Sequence, residues 1–96
     1  MLDEPIWNRP LPGVTGDPLI PDAYWEDAEV VAEIDSAEWH QFGQAVEDTE
    51  RRRARYAALG KVVLSIAPRR LREESGDVLA EIEAAVARGR RRRRLA

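Results

Sequence analysis

The chain has 96 residues and a mass of 10.9 kDa, which leaves room for one small domain and excludes an enzyme with a separate substrate domain. Its composition, 44 % hydrophobic and 34 % charged, is typical of a globular domain, and the lack of cysteine excludes disulfides and thiolate metal sites. No apolar run approaches the roughly 20 residues of a membrane helix, and residues 1–12 lack a basic start followed by an apolar stretch. We therefore predict a cytoplasmic protein without a membrane partner.

The net charge of −3 conceals a strong asymmetry along the chain. Residues 1–50 hold one basic and thirteen acidic residues, a net charge of −12, whereas residues 51–96 hold fourteen basic and five acidic residues, a net charge of +9. This division predicts that the first half holds a cation or forms a carboxylate site, and that the second half faces a polyanion.

The first third of the chain predicts three short strands. Prolines and glycines before residue 18 limit the first to an edge strand around residues 6–9. Residues 18–25 and 30–35 are rich in β-branched and aromatic side chains and are separated by four polar or small residues, which predicts a hairpin with a four-residue loop.

From Phe42 the apolar spacing becomes that of a helix, and Gly60 is placed to end it. The apolar run at residues 61–67 is typical of a strand that is covered on both faces. A strand, a helix and a second strand in this order predict a parallel crossover.

The last predicted helix begins near Ser75 and ends at Arg88-Gly89. The predicted fold class is therefore mixed α/β, with a three-stranded antiparallel meander, a parallel fourth strand after a crossover helix, and a C-terminal helix packed on the sheet. We expect one domain over residues 1–89, followed by a disordered basic tail at residues 90–96.

Three carboxylates converge in the predicted hairpin. If Trp25 pairs with Val30, Asp22 lies opposite Glu33, and the strand period of two places Asp35 on the same face. Hard oxygen ligands at this spacing suit Mg²⁺, which takes one or two carboxylates and keeps water or phosphate in its other positions. The alternative is a solvated acidic face without a ligand.

Other residues are candidates for contact with a phosphodiester. His40 follows the hairpin and is either a general acid or base for phosphoryl chemistry or a packing or surface residue beside Trp39. Basic side chains that are candidates for phosphate binding lie on the crossover helix, at Arg52, and after the last strand, at Arg69, Arg70 and Arg72.

These residues come in the order of a known family. The segments PDAYW (21–25), AEIDSAEWH (32–40) and TERRRARYAALGKVVLSIAPRRLR (49–72) resemble the PD-(D/E)XK nuclease superfamily. The closer resemblance is to the small domain of actinobacterial type that is related to very-short-patch-repair endonucleases. It covers residues 5–87 and implies a restriction-endonuclease-like fold, from which the first core helix is expected to be missing.

The resemblance also implies residue roles. Asp22 matches the metal-binding aspartate and Glu33 the glutamate on the next strand, while Asp35 stands where the superfamily usually has lysine. His40 matches the histidine that follows, and Arg52 matches the arginine of the crossover helix. The implied cofactor is Mg²⁺ or Mn²⁺.

Three functions are compatible with these observations. The first is a metal-dependent DNA endonuclease in which Asp22, Glu33 and Asp35 hold the metal and act in catalysis with His40. The second is a catalytically inactive DNA-binding or antitoxin-like regulatory module of the same fold. The third is an oligomerising or partner-binding protein, for which a homodimer would cover an exposed sheet face.

Overall fold

Four strands form a single mixed sheet. The computed structural model describes residues 2–34 and 44–95, with the side chains of residues 44–46 excepted. The strands follow one another across the sheet in chain order, and they are β1 (Ile6–Trp7), β2 (Ala23–Trp25), β3 (Val30–Ile34) and β4 (Val62–Ile66). The short first strand lies at one edge, as its prolines predict.

The strand directions confirm the predicted meander and crossover. β1 pairs with β2 and β2 with β3 in antiparallel fashion, whereas β3 and β4 are parallel. The loop of the β2–β3 hairpin contains one turn of 3₁₀ helix at Glu26–Ala28 and ends at Glu29 in the left-handed region, at φ 57°. The predicted four-residue loop is thereby confirmed.

Three helices are described: α1 (Gln44–Ala58), α2 (Pro68–Glu73) and α3 (Ser75–Leu95). α1 is the crossover helix, and Gly60 adopts a φ of 78° just after it, while the Lys61 N–H bonds the Tyr56 carbonyl. This left-handed glycine confirms the predicted end of the helix. The short helix α2 was not expected, although Pro68 at its first position is a common helix start.

The helices cover opposite faces of the sheet and create two apolar clusters. On one face, Val78 and Val86 of α3 pack with Trp25 and Val30. On the other face, Tyr56 of α1 packs with residues that include Tyr24 and Val31. β4 contributes to both clusters, as predicted, but Val62–Leu64 stay half-buried because the strand lies at an edge.

The C-terminal helix does not stop where its sequence predicts. α3 continues through Gly89 to Leu95, so residues 90–95 are helical, in place of the expected disordered tail. Gly89 is buried against the hairpin loop, where an added Cβ would lie 2.2 Å from the Ala28 carbonyl oxygen. The glycine therefore permits a close approach and does not end the helix.

Among the helices that the structure describes, none has the length and apolar character needed to cross a membrane. The cytoplasmic location stays a prediction.

Candidate functional site

The hairpin register brings two of the predicted carboxylates together. Trp25 lies opposite Val30, Tyr24 opposite Val31 and Ala23 opposite Ala32, which confirms the predicted register.

Continued by one residue, this register sets Asp22 beside Glu33 on the face that α1 covers. The Asp22 side chain contacts the end of β3 directly, because its Oδ2 accepts a hydrogen bond from the Ile34 N–H at 2.7 Å.

Glu33 is a buried carboxylate with a cationic partner. It is 9 % exposed, and Nε of Arg52 on α1 donates to both of its carboxylate oxygens at 3.0 Å. A buried carboxylate needs such compensation for the hydration that it loses. The ion pair ties α1 to β3 and gives Glu33 a counter-ion within the fold.

Tyr56 lies beside this ion pair. It is fully buried, and its hydroxyl has no hydrogen-bond partner among the described residues. Burial, reinforced by the negative charges of Glu33 and Asp22, raises the pKa of Tyr56 to about 12, while Arg52 opposes the change. Both carboxylates thus lie close enough to the phenol to act on it electrostatically.

Sequence reasoning missed the contacts of Arg52 and Tyr56. The apolar spacing of α1 places Tyr56 on its buried face, whereas the i,i+4 spacing of Arg52 with Asp48 favours an exposed, charged face for Arg52. Arg52 and Tyr56 are four positions apart and therefore share one side of the helix. That spacing was the available signal that Arg52 turns toward the sheet and not toward solvent.

Two other predicted site residues, Asp35 and His40, lie outside the described residues. Within residues 2–34 and 44–95, no group of three or more histidine, cysteine, aspartate or glutamate side chains could hold a metal ion. The described part of the site therefore offers two carboxylates, Asp22 and Glu33.

These two carboxylates are compatible with a hydrated divalent cation. Mg²⁺ commonly takes one or two protein carboxylates and fills its other positions with water or phosphate. A carboxylate has about four lone-pair sites, so the bonds from Ile34 and Arg52 leave acceptor capacity on both groups. The positive charge of Arg52 competes with a cation for Glu33.

The arginines predicted to contact phosphate are ion-paired at several positions. Arg69 lies 3.0 Å from Glu73 on the same helix, and Arg70 lies 2.7 Å from Glu81 on α3. Arg72 is exposed on α2. Their role in nucleic-acid binding stays a prediction.

Comparison of the chain with protein-family models, with curated proteins and with solved structures finds no match.

Proposed function

We propose that this chain is a restriction-endonuclease-like domain that hydrolyses phosphodiester bonds of DNA with Mg²⁺ or Mn²⁺. The observation that carries the proposal is the convergence of Asp22 and Glu33 at the same end of two neighbouring strands, on one face of the sheet. Paired carboxylates in this position are a common way to hold a divalent cation beside a phosphate.

Each residue has a distinct role in this proposal. Asp22 and Glu33 hold the cation, whose charge stabilises the negative charge that develops during phosphodiester hydrolysis. Arg52 orients the Glu33 carboxylate through its Nε. From the family resemblance, Asp35 is a further ligand or a group that positions water, and His40 is a proton donor.

A cleavage assay tests the proposal. Supercoiled plasmid is incubated with the full chain in Mg²⁺, in Mn²⁺ and in excess chelator, and nicked and linear products are quantified. We expect metal-dependent cleavage that Asp22→Asn and Glu33→Gln each reduce by about a hundredfold or more, because both remove a ligand charge. Glu47→Gln, on the exposed face of α1, removes one carboxylate charge away from the site and is the matched control.

Cleavage that both site variants retain at the level of the wild type would exclude these carboxylates from the reaction. Activity that is lost equally in Glu47→Gln would indicate a general effect of charge.

A second function is favoured by the Glu33–Arg52 ion pair. Because Arg52 already neutralises Glu33, this carboxylate has a counter-ion without a metal, which suits a non-catalytic nuclease-fold module that binds nucleic acid. Titration calorimetry distinguishes the metal-dependent endonuclease from the non-catalytic module. Mg²⁺ binding that Asp22→Asn abolishes supports the metal site, whereas no heat of binding together with intact DNA binding supports the non-catalytic module.

A further inference from the structure

Two of the arginines in the last turns of α3, Arg90 and Arg93, attach the helix to the rest of the fold. Arg90 donates from Nε to Asp27 and from Nη2 to Asp3, both at 2.6 Å. Arg93 donates to the Glu26 carbonyl at 3.0 Å. These contacts hold the C-terminal part of α3 against the hairpin loop and the N-terminal segment of the chain.

Close packing at Gly89 supports the same attachment. Because Gly89 has no side chain, the helix backbone approaches the Ala28 carbonyl more closely than any other residue would permit. The helix therefore has a defined rotation about its axis at this point, and the side chains on its opposite side face solvent.

Three other arginines of α3 occupy that opposite side. Arg88, Arg91 and Arg92, followed by Leu95, are spaced i, i+3, i+4 and i+7 and line one shallow cleft. We call the three arginines the outer arginine face. All three are exposed, and none has an acidic partner among the described residues. The bonds that hold the helix in place thus leave these three guanidinium groups available.

Several arginines elsewhere differ in this respect because they already have carboxylate partners. The carboxylate partners of Arg51 are Glu47 and Asp48, and those of Arg70 are Glu74 and Glu81. An arginine that already has a carboxylate partner must exchange it for a phosphate, which reduces the net gain on binding. The outer arginine face requires no such exchange.

We propose that the outer arginine face of α3 binds the phosphate backbone of a nucleic acid. Arginine forms bidentate hydrogen bonds with phosphate, and a rise of about 1.5 Å per residue sets Arg88 and Arg92 roughly 6 Å apart along the helix. With no aromatic side chain in this run, the contact is independent of base sequence. The inference rests on the proposed function for its choice of nucleic acid as the polyanion.

An anionic membrane fits this surface less well. A helix that lies in a membrane interface exposes a broad apolar face opposite its charges. The apolar side of α3 is instead used by the sheet, where Val78 and Val86 are buried. Leu95, which is 82 % exposed, is the apolar side chain within the cleft.

The experiment measures binding by fluorescence anisotropy, with a labelled DNA duplex of arbitrary sequence and the full chain in chelator, so that cleavage does not interfere. Arg88→Gln/Arg91→Gln/Arg92→Gln is compared with Arg9→Gln/Arg51→Gln/Arg53→Gln, which removes the same charge elsewhere. We expect the outer variant to reduce the slope of log affinity against log salt by about 2 to 3, since each phosphate contact contributes about 0.9. Circular dichroism and thermal unfolding verify that all variants fold.

Several outcomes would overturn the inference. The first is an outer variant that binds with the affinity and salt slope of the wild type, and the second is an equal loss in both triple variants. A third is a wild-type chain that binds phosphatidylcholine–phosphatidylserine vesicles through these arginines but binds no duplex. Binding that requires the outer face without any metal-dependent cleavage supports this inference and contradicts the endonuclease proposal. Cleavage that depends on Asp22 but not on the outer face does the reverse.

Discussion

Both carboxylate oxygens of Glu33 accept a hydrogen bond from Nε of Arg52 at 3.0 Å, so the crossover helix and the central part of the sheet meet in one ion pair. Asp22 contacts the end of the same strand, and both members of the pair and Asp22 act electrostatically on the buried phenol of Tyr56. A buried carboxylate from the acidic half of the chain is thus neutralised by a cation from the basic half. Part of the charge asymmetry along the sequence is therefore neutralised by a contact within the fold.

Removal of Arg52 should destabilise the fold. Arg52→Met leaves Glu33 buried without its cation, and we expect a loss of about 2 kcal/mol in the free energy of unfolding. This lies below the loss of about 3–5 kcal/mol typical of a fully buried pair, because the Arg52 side chain is 39 % exposed. Urea denaturation at neutral pH measures the change.

The control for this substitution is Arg51→Met on the neighbouring position of α1. Arg51 is 69 % exposed and contacts Glu47 and Asp48 at 3.7 and 3.8 Å, so its loss should cost less than about 1 kcal/mol. In a double-mutant cycle, Glu33→Gln should recover part of the stability that Arg52→Met loses. Equal effects at positions 51 and 52 would contradict a specific role for the pair.

The same substitution should strengthen metal binding if the endonuclease proposal holds. Arg52→Met removes a positive charge that competes for Glu33, and we expect Mg²⁺ affinity to rise roughly fivefold to tenfold. Titration calorimetry measures it, and the gain should disappear in Arg52→Met/Glu33→Gln. An affinity that does not change, or that falls, would show that Arg52 does not compete with the ion.

Substitution of Gly89 by alanine should destabilise the fold, although alanine usually favours a helix more than glycine does. In an open helix position, alanine is favoured over glycine by about 1 kcal/mol. At Gly89, however, the new Cβ would lie 2.2 Å from the Ala28 oxygen, and we expect Gly89→Ala to destabilise the fold by about 1–3 kcal/mol. Gly76→Ala, on the same helix with nothing within 4 Å, is expected to be neutral or stabilising. Thermal unfolding of both variants tests the difference, and a stabilised Gly89→Ala would contradict the close approach.

Tyr56 should make stability sensitive to alkaline pH. Its pKa is 10.0 in the unfolded chain and about 12 in the folded protein, so the unfolded state loses its proton first as pH rises. The contribution of protonated Tyr56 to the free energy of unfolding is complete below about pH 10. It is lost between about pH 10 and 12, with a slope of up to about 1.4 kcal/mol per pH unit. The free energy of unfolding of Tyr56→Phe should fall less steeply over this interval.

At neutral pH the same substitution should cost little. The Tyr56 hydroxyl is buried without a partner among the described residues, so its removal leaves no lost hydrogen bond there and relieves a desolvation cost. Denaturant unfolding at pH 7 and pH 11 provides both values. A large loss of stability at pH 7 would mean that the hydroxyl has a partner in the folded protein.

Much of the fold could be predicted from local patterns. Prolines limited the first strand, two segments rich in β-branched and aromatic residues defined the hairpin, and Gly60 ended the crossover helix at the predicted position. The register of the hairpin followed from its four-residue loop, since loop length constrains which residues face each other. The pairing of Asp22 with the end of β3 could therefore be predicted from sequence.

By itself, the sequence determined the order of the elements, the direction of the strands and the meeting of Asp22 with Glu33, because periodicity and turn chemistry act over a few residues. The tertiary structure alone decided which cation neutralises Glu33 and which arginines of α3 remain exposed. Those outcomes depend on contacts between residues that are far apart in the chain, such as Arg52 with Glu33 and Arg90 with Asp3. Gly89 is the plainest case, because a pattern typical of a helix end became a point of close approach once Ala28 lay against it.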